Sequence, residues 1–211
     1  MLGVIIPRAQ AAYVLCTLCP NRARSVMIVK TTAVPIAPPE TSEYAPYYGR
    51  YISLVKSDDI LASLQQQMPA TKALLSSLSE REANFRYAPD KWSIKQVFGH
   101  LIDSERIFAY RALRIARADQ IPMEGFEQDD YVRSGNFENR TMPDLLEEYE
   151  TVRAATLTLF RNLDTPAWSR RGVANNNQVT VRAVAYIIAG HELHHMQIVK
   201  NRYLSGMSAA R

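Results

Sequence analysis

Residues Thr180–Leu204 read TVRAVAYIIAGHELHHMQIVKNRYL. The apolar residues of this stretch and two of its histidines recur at alternating steps of four and three, the period of an amphipathic α-helix. The residues on this stripe are Val184, Ile188, His191, His195 and Ile198. The stretch therefore predicts a long helix whose buried face carries two histidines.

Three more helices are predicted upstream, over about Asp59–Leu78, Ser93–Arg117 and Thr141–Leu163. The second opens on a capping box, Ser93-Ile-Lys-Gln96, and the third on a threonine cap followed by a first-turn proline. Pro69 is expected to kink the first helix. No strand pattern competes with these segments. The sequence predicts an all-α fold, a four-helix bundle.

The connection between helices 2 and 3, residues 118–140, is unusually long for a bundle. A helix of 25 residues spans about 37 Å, which an extended chain crosses in about 12 residues. The connection is therefore a long crossover, and helices 2 and 3 are expected to run parallel.

Residues 1–57 divide into an N-terminal extension and an arm. The arm, residues 31–57, is rich in proline and tyrosine and is predicted to be extended and to wrap the bundle. The bundle itself is assigned to residues 58–205, and residues 206–211 are a C-terminal tail. For residues 1–26 three interpretations stay open: an upstream extension with the true start at Met27, a disordered tail, or a targeting segment.

Charge argues against nucleic-acid binding. The net charge of +4 arises from four basic residues in the first thirty, and the remaining chain holds equal numbers of basic and acidic side chains. A neutral body gains little affinity for a phosphate backbone. No apolar run is long enough to span a membrane. We expect a cytoplasmic protein whose partner is a small-molecule substrate, with neither nucleic acid nor membrane.

Both cysteines, Cys16 and Cys19, lie in the N-terminal extension as an isolated C-x-x-C, a weak metal or redox motif. The rest of the chain has no thiol. It therefore cannot use a disulfide framework or a cysteine nucleophile.

His191 and His195 are one helical turn apart on the buried stripe, so both rings can face one ion. Buried imidazoles need partners, and either a metal or hydrogen bonds to backbone and carboxylates would supply them. His100 is the only other histidine besides His194, and it matches their height if helices 2 and 4 are antiparallel. Three imidazoles suit zinc, nickel or ferrous iron and leave an open position. The predicted metal ligands are His100, His191 and His195.

The letters His191-Glu192-Leu-His-His195 also satisfy the zinc-protease pattern H-E-x-x-H. That mechanism needs a third ligand downstream. Asn201 stands where a metzincin would have histidine, and residues 196–211 contain no Asp, Glu or His. The protease interpretation is therefore rejected.

Two segments, Lys91-Trp-Ser-Ile-Lys-Gln-Val-Phe-Gly-His100-Leu-Ile-Asp and Gly190-His-Glu-Leu-His-His195-Met-Gln-Ile, resemble the DinB/YfiT-like family of metalloenzymes. The likeness covers roughly residues 58–205 and includes the loop Gly125-Phe-Glu-Gln-Asp. It implies a four-helix bundle of unusual topology, a dimer, and zinc or nickel on the three histidines. Some members of the family are transferases or isomerases that use a low-molecular-weight thiol, such as bacillithiol, mycothiol or glutathione.

A metal held by three neutral ligands is a strong Lewis acid and would activate a thiol or water. The leading expectation is a thiol transferase, followed by a metal-dependent hydrolase and then by a non-catalytic module with a closed site. Glu192 is expected in a supporting or surface role. Four other acids near the motifs are expected to be solvated: Asp103, Glu105, Asp129 and Asp130.

Overall fold

Four long helices form the body of the protein in a computed structural model, which describes residues 36–209. They are α1 (Ile60–Ser76), α2 (Ile94–Ala116), α3 (Met142–Arg161) and α4 (Val181–Ile198). The four-helix bundle predicted from the sequence is confirmed. A π-helical turn, Val199–Leu204, and a short helix, Ser205–Ala209, extend α4.

Each long helix begins at a polar residue whose side chain caps the first turn. The oxygens of Asp59, Ser93, Thr141 and Thr180 each accept a hydrogen bond from the amide three residues later, which satisfies one of the free amides at a helix start. The reciprocal bond of the capping box, from the Ser93 amide to Gln96, is also present. The predicted helix starts are therefore confirmed to within one residue.

The connection between α2 and α3 is a true crossover. After α2 ends, Met123 pairs with Val173 beside the end of that helix. The chain then returns through the helix Gln128–Ser134 to Phe137, whose ring occupies the space over Gly99 near the start of α2. Because the chain returns to the start of α2 before α3 begins, α2 and α3 run parallel, as predicted.

Helices α2 and α4 are antiparallel. The C-terminal end of α2 meets the entry to α4, where Arg170 donates to the carbonyl of Ala116 and the side chain of Ile115 packs on Gly172. At the opposite end, the start of α2 meets the final turns of α4, where the histidines lie. The core is correspondingly built from two clusters, one around each end of the bundle.

A two-stranded hairpin, β1 (Arg171–Ala174) and β2 (Asn177–Thr180), precedes α4. The prediction of no strands was wrong here. Asn175 and Asn176 form the turn with φ of 48° and 60°, and left-handed pairs of this kind close two-residue hairpins whose twist matches the strands. Strands of four residues are too short to show a clear alternation.

The proline- and tyrosine-rich arm is not wholly extended, so that prediction was wrong in part. It contains two 3-10 turns, Thr41–Glu43 and Pro46–Tyr48, and a helix, Gly49–Ile52. The arm packs on the bundle, as expected: Tyr51 and Ile52 are buried, and Glu43 accepts hydrogen bonds from Thr180 and Arg182. Its helical turns let successive tyrosines reach one surface of the bundle.

Some expectations lie outside the described residues, among them the start at Met27 and the pair Cys16 and Cys19. Pro69 is inside α1, and its kink stays a prediction. Within residues 36–209, no helix combines the length and the apolar character needed to cross a membrane.

Candidate metal centre

Three histidines meet where the start of α2 lies against the end of α4. The Nε2 atom of His191 is 3.1 Å from Nε2 of His100 and 3.1 Å from Nε2 of His195. One nitrogen from each ring lies within 4.8 Å of the other two. The structure thus brings together the three residues that the sequence singled out, in a group that can hold a metal ion.

Hydrogen bonding alone cannot satisfy this arrangement. A neutral imidazole nitrogen carries either one proton or one lone pair, so His191 Nε2 can bond to one of its two nitrogen neighbours but not to both. A tetrahedral metal with Zn–N bonds of about 2.0–2.1 Å would hold neighbouring nitrogens about 3.3 Å apart, close to the observed separations. The donor set therefore fits a divalent metal ion.

Burial keeps all three rings neutral. It lowers the pKa of His100 to about 4 and that of His191 well below the usual range. Burial, with a smaller contribution from His100, lowers the pKa of His195 to about 3. Neutral rings retain the lone pairs that a metal needs.

Neighbouring side chains orient the ligands. The Oγ of Ser104, one turn along α2, is 3.4 Å from Nδ1 of His100, and the ring of Trp92 packs 5.0 Å from the His100 ring. His194 lies outside the three-nitrogen group and contacts the ring of Tyr51 instead, in line with its predicted position on the flank.

Gly190 allows the arm to close over the site. A Cβ at this position would lie 2.1 Å from the carbonyl oxygen of Tyr51, so only glycine permits this approach. The ring of Tyr51 consequently packs edge-on against His191, with the centroids 5.2 Å apart. The tyrosines of the arm therefore form one wall of the site, which the sequence did not predict.

Two acids near the histidines are buried and paired. Glu192 and Glu105 flank the guanidinium of Arg153, with closest distances of 2.5 Å and 2.8 Å. Glu192 also accepts hydrogen bonds from the hydroxyls of Thr71 and Tyr149. The surface alternative for Glu192 and the solvated position expected for Glu105 were wrong, because a buried arginine on α3 pairs with both carboxylates.

The remaining acids that the sequence singled out make no contact with the histidines. Asp129 and Asp130 are exposed, and Asp130 pairs with Arg133. Asp103 is half-buried beside Arg106, and burial raises its pKa.

A pocket of about 320 Å³ opens beside His100 and His191. Its walls come from α2, the arm, the loop that begins at Gly125, and the β-hairpin. The residues of these walls include Tyr47, Tyr48, Tyr51, Ser104, Phe108, Arg111, Phe126, Glu127, Asn175 and Asn177. A small molecule entering this pocket would reach the histidines.

Comparison with known proteins places the chain in a family. The sequence pattern of the DinB superfamily matches residues 63–199, which spans both histidine segments. The chain belongs to the DinB superfamily. Among solved structures this DinB protein is similar to YfiT from Bacillus subtilis, which is described as a probable metal-dependent hydrolase with an unusual four-helix bundle topology.

The likeness to YfiT has a TM-score of 0.59 at 14% sequence identity, and it covers 82% of this DinB chain and 92% of YfiT. At that identity the likeness shows a shared fold. No match was found among curated proteins.

Proposed function

We propose that this DinB protein is a metal-dependent hydrolase acting on a small molecule, with His100, His191 and His195 as ligands of one divalent ion. The observation that carries the proposal is the convergence of three neutral imidazoles, two of which, His100 and His191, line an open pocket. Three neutral ligands leave the charge of the ion uncompensated, and its Lewis acidity would make water nucleophilic near neutral pH.

Zinc is the ion we propose first, with nickel and iron as alternatives. The three donors are imidazole nitrogens, which suit all three metals. The observed nitrogen separations of 3.1 Å are near those of a tetrahedral zinc site.

The size of the pocket supports hydrolysis over transfer between two organic substrates. Ligand pockets commonly measure about 300–1,000 Å³, and this one, at about 320 Å³, is at the lower end. It has room for one small substrate and a water molecule. YfiT, with the same fold, is itself described as a probable hydrolase.

The protein's own residues have three roles in this proposal. The histidines hold the ion, Ser104 restrains the ring of His100, and the arm limits the access of bulk water through Tyr48 and Tyr51. Glu192 is already bonded to Thr71, Tyr149 and Arg153, so it does not act as the base.

A metal-dependent thiol transferase is the second candidate. Its support is the resemblance to a family in which some members use a low-molecular-weight thiol. The chain has no cysteine after Cys19, so the thiolate would have to come from a small molecule. A non-catalytic module would require a closed site, and the open pocket beside His191 argues against one.

The two enzymatic candidates differ in their nucleophile, so one assay separates them. Zinc-loaded protein is incubated with a panel of activated esters and amides, and in parallel with chlorodinitrobenzene and glutathione, bacillithiol or mycothiol. Hydrolysis that needs the metal and is lost in His191→Ala supports our proposal. A reaction that occurs only when a thiol is present would contradict the hydrolase and support the thiol transferase.

The homodimer and the cytoplasmic location that we expect belong to the same proposal. Light scattering of the purified full-length chain measures the dimer directly. A monomeric mass would contradict the expected homodimer. It would not affect the proposed metal site, because all three histidines come from one chain.

A further inference from the structure

Arg111 is a buried cation without a carboxylate partner. Only 5% of its surface is exposed, and its guanidinium donates a hydrogen bond 2.7 Å long to the carbonyl of Glu124 and another to the hydroxyl of Tyr48. The other buried arginine of residues 36–209, Arg153, is held between two carboxylates. In the described part of the chain Arg111 forms no ion pair, and it lines the pocket.

An unpaired buried charge is costly, and arginine cannot relieve the cost by losing its proton. Structural arginines in cores are therefore paired, as Arg153 is. A buried arginine with free donors at the wall of a cavity is instead suited to bind an anion, which it contacts through two parallel N–H groups.

The other walls favour an anion as well. The hydroxyl of Tyr48 lies beside the Arg111 guanidinium, and the side chains of Asn175 and Asn177 come from the hairpin. Glu127 is the one acidic residue among the described pocket-lining residues, and it is exposed. The pocket thus offers several hydrogen-bond donors and one positive charge, with little to repel an anion.

Arg111 is on the same face of α2 as the metal ligand. Arg111 is eleven positions after His100, close to three full helical turns. Its guanidinium carbon is 5.8 Å from the centre of the Phe108 ring, which is 6.1 Å from the centre of the His191 ring. Ser104 and Phe108 lie between them and line the same pocket. A molecule that contacts both ends must therefore carry its anionic group at a distance from its reacting bond.

We propose that Arg111 binds an oxyanionic group of the substrate, a carboxylate or a phosphate, and so directs the distal part of the substrate toward His100 and His191. This inference rests on the proposed function for the reacting end, but the anion site itself needs no metal. It makes the substrate an anionic small molecule with a spacer between its charge and its scissile bond.

The test uses ligands with a metal-binding group at one end and a carboxylate at the other. Hydroxamates with a terminal carboxylate and increasing numbers of methylenes are titrated into zinc-loaded full-length protein by calorimetry, beside their methyl esters. We expect one chain length to bind best and its free acid to bind about ten- to a hundredfold more tightly than its ester.

Substitutions test whether Arg111 causes the preference for the free acid over its ester. Arg111→Gln should remove the preference for the acid, and Arg111→Lys, which keeps the charge without the planar fork, should retain part of it. Arg117→Gln is the matched control, because Arg117 is an exposed arginine at the end of the same helix and does not line the pocket. Unchanged zinc content and circular dichroism confirm that each variant is folded.

A second titration separates this inference from the proposed function. Metal-free protein is titrated with hexanoate and with inorganic phosphate, and we expect binding that is lost in Arg111→Gln. The tighter of the two probes identifies the oxyanion. Such binding in a protein that takes up no metal would support the anion site while overturning the metal-dependent function. Equal affinity for acid and ester, or an unchanged preference in Arg111→Gln, would overturn the anion site while leaving the metal centre intact.

Discussion

At the residue scale, His191 and Glu192 are neighbours in sequence with different surroundings. His191 faces the other two histidines and the pocket. Glu192 is about 100° further around the helix and receives hydrogen bonds from Thr71, Tyr149 and Arg153. One turn of helix therefore contributes both a ligand and an anchor of the buried core.

Replacing Arg153 by methionine should destabilise the protein strongly. The substitution leaves Glu105 and Glu192 buried without their cation, and breaking a buried pair in this way costs about 3–5 kcal/mol of unfolding free energy. Urea denaturation measures the loss. Lys72→Met is the control, because Lys72 is in an exposed pair with Glu150 that is worth less than about 1 kcal/mol. Equal losses in the two variants would contradict the assigned role of Arg153.

Ser104→Ala should weaken metal binding without preventing it. The Ser104 hydroxyl is 3.4 Å from His100 Nδ1 and restrains the ring, and loss of such a support typically costs about 10–100-fold in metal affinity. The long distance places our expectation at the lower end of that range. Competition with a chelator measures the affinity, and Ser77→Ala, an exposed serine at the end of α1, is the control. An unchanged affinity would show that the ring is held by packing alone.

The three histidine ligands could be predicted because their signals are simple. His191 and His195 share one face of a helix, and His100 is the only histidine outside residues 191–195. The sequence did not predict the partners of Glu105 and Glu192. Arg153 is on another helix, 48 residues from Glu105 and 39 from Glu192, and no periodicity connects such positions. For the same reason Arg111 is not distinguishable in the sequence from the solvated arginines of α2.

At the element scale, the arm and α4 are in direct contact through Gly190. Gly190→Ala should lower the unfolding free energy by about 1–3 kcal/mol, because the new methyl group would meet the backbone of Tyr51. Thermal or urea unfolding measures the change. Gly49→Ala is the matched control, since a Cβ there would meet Tyr44 at an ordinary 3.8 Å. A stable Gly190→Ala protein would mean that the arm is not held against α4.

Glu43 should make the attachment of the arm depend on pH. Burial acts to raise its pKa, but hydrogen bonds from Arg182 and Thr180 outweigh this and lower the pKa to about 2, below the 4.5 of an unperturbed glutamate. The stabilisation by Glu43 is therefore complete above about pH 4.5 and is lost as the pH falls toward 2. Urea unfolding of wild type and Glu43→Gln should differ at pH 7 and converge at low pH. A difference that does not change with pH would contradict the ion pair.

Elements were predictable from the sequence where their signals were local and strong. Capping residues fixed the starts of all four long helices, and the apolar stripe of α4 fixed its buried face. The hairpin was missed because four-residue strands are too short for a periodic signal, although the run Asn175-Asn-Asn177 favours a tight turn. The turns of the arm were missed because tertiary packing of tyrosines outweighs the local preference of a proline-rich segment.

At the scale of the whole molecule, the crossover determines where the site lies. It makes α2 and α3 parallel, so that α2 is antiparallel to α4 and its first turns meet the last turns of α4. The returning chain also brings the loop at Gly125 to the pocket. The length of the connection predicted this topology, whereas the pocket depends on the meeting of the arm, the loop and the hairpin, which the sequence does not reveal.

Elemental analysis of gently purified full-length protein tests whether His100, His191 and His195 hold one metal ion. We predict about one divalent ion per chain in the wild type and in His194→Ala, whose ring is on the flank. His100→Ala, His191→Ala and His195→Ala should each lose the ion. Stoichiometric metal in His100→Ala, or none in the wild type after incubation with zinc, would rule out the three-histidine site.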